Sequence, residues 1–551
     1  MHSHTCDVLV IGSGATGAFG ALTAAENNVN VCLVSKGCLL CGNTRLAGGI
    51  VACPDYLDLD SEQQFLEDVT SAGGDINQKE LVELVAQKGK PTLQLLEQWG
   101  YVFRRGGDGK PELMRAGGHS TPRSFNCSYR GLSLSSLLRL KLSQQPNITL
   151  LEGHMLFRLL HDDSGVSGAL FLDLYSGDSV FIHAAAVILA TGGAGMLYTP
   201  HTDNSCEATG DGLAAALKAG TSLVDMEFMQ CLPFSVNSQK DLTGIGCGEP
   251  SSAGPLGKLI NSKGEVFLEK MHQMTRSQVT RAIFSEIKKG NGTQRAGVIL
   301  DPRANLSDSD GKEIYSQMLA NGMYNVVRQA YGEDAYQWRT PYEVTPTVHH
   351  TLGGIQVDVC GFTGIPGLYA AGEVTGGFHG ADRLGSVALT ECFVFGSQAG
   401  HFATDSLRHS KPGETSDADL MALFGRDGTE SPIKLLEELG HIMWEMAGGI
   451  RDESGLQQAL REISKIKLRS NHIETPALRK WNQPVKTAIE LENLLVVAEA
   501  VVMSAIARKE SRGNHFRWDY PHECSDWNRK NVVVSLNCDG ALTITKREGK
   551  R

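Results

Sequence analysis

No run of about 18 consecutive apolar residues occurs in the chain, so no membrane-spanning helix is expected. Basic charge is also short. Against 62 Asp and Glu there are 51 Lys and Arg, a net charge of −11, whereas a phosphate backbone needs a basic face. Nucleic acid is therefore excluded as a partner. The opening residues, MHSHTCDVLVIGSG, lack the basic segment and small-residue cleavage site of a secretory leader. Thirteen cysteines, an odd number, are scattered with no disulfide framework. Only Cys38 and Cys41 form a C-x-x-C pair. No second pair follows at the spacing that a four-ligand zinc or iron–sulfur site requires, so no metal is expected. Most of the others, Cys32, Cys206 and Cys392 among them, read as packed thiols. A reduced, cytoplasmic setting fits best.

What is present is ordinary in bulk and informative in order. Hydrophobic residues make up 41% and charged residues 21% of the 551, a soluble composition. The length implies two to four domains at roughly 100–200 residues each.

Residues 7–11, DVLVI, are a short apolar run of the kind that makes a buried parallel strand. Gly12-Ser13-Gly14-Ala15-Thr16-Gly17 follows as a G-x-G-x-x-G, then helix formers, then a second strand, VNVCLVS. In that order the glycines permit a tight turn, a close backbone approach to a pyrophosphate and close helix–strand packing. The phosphate would meet free N–H groups at a helix N-terminus. The acidic residue expected about 20 residues on is replaced by Ser35-Lys36, which argues against assuming NAD. AAAVILATGGAG at 184–195 and IPGLYAAGEVTGG at 365–377 repeat the strand-to-glycine junction, the latter with Glu373 placed to accept from a sugar-like hydroxyl. Three such junctions, so far apart, imply a discontinuous nucleotide-binding domain with an insertion.

At this point the residues resemble a known family. HHTLGGI at 349–355 is similar to the H-x-T-x-G-G-I of the succinate dehydrogenase/fumarate reductase flavoproteins, which include L-aspartate oxidase. FHGADRLGSVALTECFVFGSQAG resembles that family's H-G-A-N-R-L-G block and the helix after it. GGHSTPRS, ATGDG at 208–212, DMEF at 225–228 and ESRGNHFRWDYP at 510–521 match as well. The resemblance implies an α/β fold: a Rossmann-like FAD-binding domain over 1–240 and 345–405, an inserted α+β capping domain over 241–344, and a helical domain over 406–521. Independently, 434–508 shows apolar residues at helical spacing. Residues 522–551 read as a loosely held extension.

The activity implied is hydride transfer between flavin N5 and a carbon next to a carboxylate. Such a site needs fixed cations, best supplied by the planar fork of Arg. Arg383 matches the family arginine that grips a substrate carboxylate, and His349 the histidine that helps hold it. Arg276 matches the arginine implicated as proton donor, which needs a relay because its pKa is far from matched to the task. FAD contacts are implied at Gly12, Gly14, Ala15 and Gly17, at Ser35 and Lys36, and at Gly42, Asn43, Thr44, Gly48 and Gly49. Thr191, Gly192, Asp211, Glu373, Ala388 and Leu389 complete the set.

Departures from the family pattern qualify the reading. Where the family has Q-F-H-P-T, this chain has Gln230-Cys231-Leu232-Pro233-Phe234, so two polar ligands become apolar. Where it has E-x-x-R-G, Glu249 stands without the arginine three residues later, which weakens the relay and with it fumarate or succinate as substrate. Where membrane-linked members carry a flavin-linking histidine, Gly42 stands, or Asn43 if one residue is deleted; neither can form the bond, so FAD is expected to be non-covalent. The leading expectation is the flavoprotein subunit of a reductase or dehydrogenase, with an iron–sulfur or other redox protein as electron partner and a small carboxylate other than plain fumarate or succinate as substrate. An L-aspartate oxidase-like enzyme and a non-catalytic flavin/dithiol relay are the alternatives. For Cys38 and Cys41, packing, dithiol exchange, covalent attachment and a shared metal all stay open.

Overall fold

The computed structural model describes residues 2–48, 51–125, 130–238, 241–322, 324–407 and 416–549. Its first sheet has seven strands. The expected strand at 7–11 runs over His2–Ile11, buried only over Val8–Ile11. Its exposed first half is held by parallel pairing with Val180–Ala184, a long-range partner that no local pattern reveals. On its other side Val31–Val34 pairs in parallel, followed by Ile148–Leu151. Ser179–Leu189 also carries Leu368–Ala370 as a parallel neighbour, so a strand nearly two hundred residues later completes the nucleotide-binding sheet. The helix Ala15–Ala25 packs between this sheet and the helix Val387–Asp405. Nearly all of its residues are buried, as expected of a helix covered on more than one side.

A second, six-stranded antiparallel sheet contains Met229–Val236, Gly246–Gly248, Lys258–Ile260, Val266–Glu269, Val298–Asp301 and Tyr342–Thr351. It has its own core, in which Phe234, Val344, Leu259, Val298, Ile283 and Trp338 meet. Two of its strands, Met229–Val236 and Tyr342–Thr351, pair side by side and reach across the expected boundaries at 240 and 344. The chain leaves the nucleotide-binding unit on the first and returns on the second.

The helices Pro432–Ala447, Glu453–Arg469 and Gln483–Ala507 pack on one another. Residues after 521 are not a loose tail. Lys530–Leu536 and Leu542–Glu548 form a hairpin that pairs with Leu223–Val224, and Val532 and Val534 are fully buried. The alternating apolar pattern of NVVVSL is the signal for this strand. The turn before the hairpin is fixed by a buried charge cluster. Arg508 reaches Glu227 Oε1 at 2.5 Å and Glu510 Oε1 at 3.0 Å, and Arg512 reaches Glu510 at 3.0 Å. Each charge there is paired, the condition under which burying it is tolerable. Among the described residues no helix is long and apolar enough to cross a membrane.

Candidate active site

The first glycine turn has the geometry its sequence announced. Gly12 sits at φ +107°, and a Cβ there would collide with the Ala190 carbonyl. A Cβ on Gly17 would strike the Gly12 carbonyl, so the third glycine sets the close packing of helix on strand. The helix begins at Ala15 with no acidic residue in its first turn and no side-chain cap, leaving its positive end for an anion. One first-turn donor is taken: Ala15 N–H donates to Thr44 Oγ1 at 2.9 Å. Thr44 thereby joins the 42–48 loop to the glycine turn. A Cβ on Gly42 or Gly192 would meet nothing within 4 Å, so open space borders both. Ser35 is buried and takes a hydrogen bond from Ser13 at 2.8 Å. Gly48 is half-buried, and Gly49 lies outside the described residues.

Lys36 and Asp211, expected as separate cofactor contacts, are joined to each other at 2.8 Å, and Lys36 also pairs with Glu490 at 3.1 Å. Burial works against the ammonium charge, yet the two carboxylates hold its pKa above the usual lysine range. On the opposite wall the helix Val387–Asp405 starts at Ser386, again with no acidic first-turn residue, placing Ala388 and Leu389 at a second positive helix end. Glu373 lies between the two walls. It accepts from Thr351 N–H at 3.1 Å, its Oε1 is 3.6 Å from His350 Nδ1, and burial lifts its pKa to about 7.

Several buried polar atoms around this slot have no partner within the described residues: Thr191 Oγ1, His350 Nε2 and both ring nitrogens of His379. His379 Nε2 touches Glu391 at 2.8 Å without the alignment of a hydrogen bond. The ligand atoms of His350, His379 and Glu391 lie within 4.8 Å of one another. Polar atoms left unsatisfied inside a protein cost about 1–3 kcal/mol each, so a slot lined with them, bounded by two helix ends and glycine-cleared backbone, suits a large polar ligand such as FAD. Asn43 has no spare reach for a covalent link: its Nδ2 donates to Asn204 at 2.8 Å and its Oδ1 accepts from Ser205 N–H at 2.7 Å.

Beside this slot the three expected catalytic residues are brought together. The helix Arg276–Glu286 is started by a capping box between Thr275 and Gln278, which orients its first residue toward Glu249. Glu249 Oε2 and Oε1 take both edges of the Arg276 guanidinium at 2.7 and 2.6 Å. Arg276 and Arg383 then share one acceptor, Gln230 Oε1, at 3.3 and 2.9 Å. Gln230 is itself oriented by donating to Asp382 Oδ1 at 2.8 Å and to the Arg383 carbonyl at 3.1 Å. Asp382 takes further bonds from Ser277 and Asn514. It is thus spent on neutral donors, not on Arg383. His349 is fixed through Nδ1 on Asp203 at 2.9 Å.

Sequence reasoning had placed no role on Gln230 or Asp203. The signal for Gln230 was available, a lone polar residue in the apolar strand MQCLPF. Asp203 belongs to a loop with no local mark. Glu249, doubtful as a relay on its own, is the residue that grips Arg276.

The electrostatics set Arg383 apart. It is 8% exposed, and among the described residues it has no salt-bridge partner. Burial, then the neighbouring Arg276 charge, bring its pKa down to about 10, so it is still a cation at neutral pH. Arg276 is held above the ordinary arginine range: burial opposes its charge, but Glu249 more than compensates. In turn Glu249 is held below the usual carboxylate range, burial being outweighed by Arg276. Leu232, two residues beyond Gln230, is buried to 4% yet joins none of the apolar cores described above, while Phe234 is fully inside the second-sheet core. An unpaired buried cation beside a paired one, with an apolar wall at Leu232, can bind one anionic end of a small molecule and exclude water from the rest.

Comparison with known proteins agrees with this geometry. Residues 7–389 match the FAD binding domain family and residues 436–548 the fumarate reductase flavoprotein C-terminal family. The second match takes in the hairpin that the sequence reading had set aside. The chain is 34% identical over 541 residues to one subunit of the fumarate reductase (CoM/CoB) of Methanothermobacter marburgensis, covering 96% of each. It is 31% identical to L-aspartate oxidase of Nostoc sp. over 96% of this chain and 93% of that one. Among solved structures, Mycobacterium smegmatis Sdh1 superposes with a TM-score of 0.90 at 31% identity, over 100% of this chain and 95% of Sdh1. Fold, sequence and site together show that this chain belongs to the succinate dehydrogenase/fumarate reductase flavoprotein family of FAD-dependent oxidoreductases.

Proposed function

We propose that the protein is the flavoprotein component of a fumarate reductase-type enzyme whose substrate is a carboxylate other than plain fumarate or succinate. The observation that carries this reading is the unpaired, buried Arg383 next to Arg276, with Leu232 where the family pattern has a polar ligand. Bound FAD supplies a two-electron hydride carrier. Arg383 and His349 hold the substrate carboxylate, each kept in place by a second group, Gln230 and Asp203. Arg276 delivers or takes up the proton at the substrate carbon, and Glu249, forked on its guanidinium, is the group that restores its charge. Leu232 faces the far end of the substrate and offers it no hydrogen bond, which favours an apolar or differently polar substituent there.

The glycine turn, the 42–48 loop, Thr191, Gly192, Glu373 and the start of the helix at Ala388–Leu389 hold FAD without a covalent bond. Lys36 and Asp211 contribute as a joined pair. Electrons come from or go to a separate redox protein, an iron–sulfur subunit fitting best, in the cytoplasm. The names of the relatives, which include a fumarate reductase subunit, support a partner of this kind.

The test is to reduce the bound FAD without oxygen and add a panel of unsaturated acids. Reoxidation faster with acids bearing an apolar far end than with fumarate is the expected result. Silence with every acid, alongside ready reoxidation by a redox protein, would remove the enzyme reading. Acid precipitation should leave the flavin in the supernatant.

A further inference from the structure

The C-x-x-C turn has no part in the chemistry above, and its geometry is specific. Cys41 N–H donates to the Cys38 carbonyl at 3.3 Å, closing a four-residue turn. Such a turn brings its end Cα atoms within about 7 Å, which overlaps the separation a disulfide needs. Its middle residues are anchored inward. Leu39 and Leu40 are 5% and 2% exposed. Leu39 N–H donates to Glu152 at 2.7 Å and Leu40 N–H to Ser13 Oγ at 3.0 Å. Leu40 adopts φ +60°, a conformation that costs a non-glycine residue free energy and persists only where its surroundings impose it. The two cysteines are left outward: Cys38 is exposed and Cys41 half-exposed, and neither is bonded. Packing of the pair, the blandest of the sequence readings, does not describe an exposed thiol.

We propose that Cys38 and Cys41 form a thiol–disulfide exchange site for small, uncharged disulfides and dithiols. The exposed Cys38 thiolate attacks one sulfur of an external disulfide, breaking its S–S bond and releasing one thiolate that takes a proton from water. The Cys41 thiolate then attacks the Cys38 sulfur of the mixed disulfide and releases the second thiolate. In sum, two protein thiols become one disulfide, and the external disulfide becomes two thiols. An external dithiol runs the steps in reverse.

The surroundings select the ligand charge. Glu152 is fixed on the Leu39 N–H, and the Glu207 carboxylate lies against Gly37. The neighbouring Cys41, then partial burial, then these carboxylates raise the Cys38 pKa, so a dianionic disulfide such as that of glutathione is repelled and a neutral one is not. The turn continues directly into Gly42–Asn43–Thr44, and Asn43 holds the loop that carries Cys206, which is exposed rather than packed.

The experiment uses the FAD-loaded protein and hydroxyethyl disulfide, followed by acid quenching, alkylation and mass mapping of the tryptic peptide Gly37–Arg45. The expected peptide is lighter by two hydrogens and carries no alkyl group, and dithiothreitol returns it to the doubly alkylated form. With glutathione disulfide at the same concentration, closure should be at least about tenfold slower. C41S should accumulate the mixed disulfide at Cys38, and C206S should behave as the unsubstituted chain. A peptide alkylated at both cysteines at every concentration, a stable mixed disulfide in the unsubstituted chain, or a bridge to Cys206 would each overturn the proposal.

Discussion

Arg383 is the residue on which the proposed chemistry turns. Charge-assisted hydrogen bonds contribute about 1.5–3 kcal/mol each, and a carboxylate accepts two from a guanidinium. Arg383→Gln should therefore lower kcat/KM by about 10²–10⁴, with the visible flavin spectrum retained. Unchanged turnover measured by steady-state kinetics would remove Arg383 from the site. Leu232 makes the complementary point about specificity. Leu232→His puts back the polar group that the family pattern carries there, and should raise kcat/KM for fumarate relative to an apolar-ended acid by about 10–100-fold. A ratio that does not move would show that Leu232 does not face the substrate. These residues were legible because they lie in motifs where residue type and order both speak. Asp203 and the shared use of Gln230 were not, since each is defined by partners far off in sequence.

At the scale of elements, what could be read locally was read correctly and what depends on remote pairing was not. The G-x-G-x-x-G turn, its helix and Val31–Val34 follow from a pattern within one short segment. The extension of the first strand back to His2 depends on Val180–Ala184, and the C-terminal hairpin on Leu223–Val224. A charged, lysine-rich end drew attention away from NVVVSL, whose apolar alternation fits a half-buried strand. The hairpin closes a sheet, so Val534→Asp places an unpaired carboxylate where no water reaches. It should destabilise the protein by at least about 3 kcal/mol, seen as a lower thermal midpoint, while the equally sited but exposed Lys546→Asp should change little. Equal behaviour of the two variants would mean that the hairpin is not held as described.

For the molecule as a whole, burial of ionisable groups couples stability to pH. Glu373 has its pKa raised from 4.5 to about 7 by burial. A carboxyl with a raised folded pKa keeps its proton in the native state where the unfolded chain has lost it. Its contribution to stability is thus full below about pH 4.5 and disappears as pH rises through about 7. In flavin-free protein, Glu373→Gln should flatten the fall in thermal midpoint between pH 4.5 and 7 by an amount on the order of 3 kcal/mol. A pH profile parallel to that of the unsubstituted chain would assign the dependence elsewhere, for example to Asp225, whose pKa burial and Glu227 also raise to about 7.

The strands Met229–Val236 and Tyr342–Thr351 have one more consequence. Gln230 and His349 ride on the same paired ribbon whose far ends build the core around Phe234 and Val344. Any tilt of that outer lobe would swing the ribbon like a lever arm, shifting the Gln230 oxygen that spaces the two guanidinium groups and the imidazole opposite them together. Closure over a substrate and assembly of its grip would then be one motion, with no separate latch required.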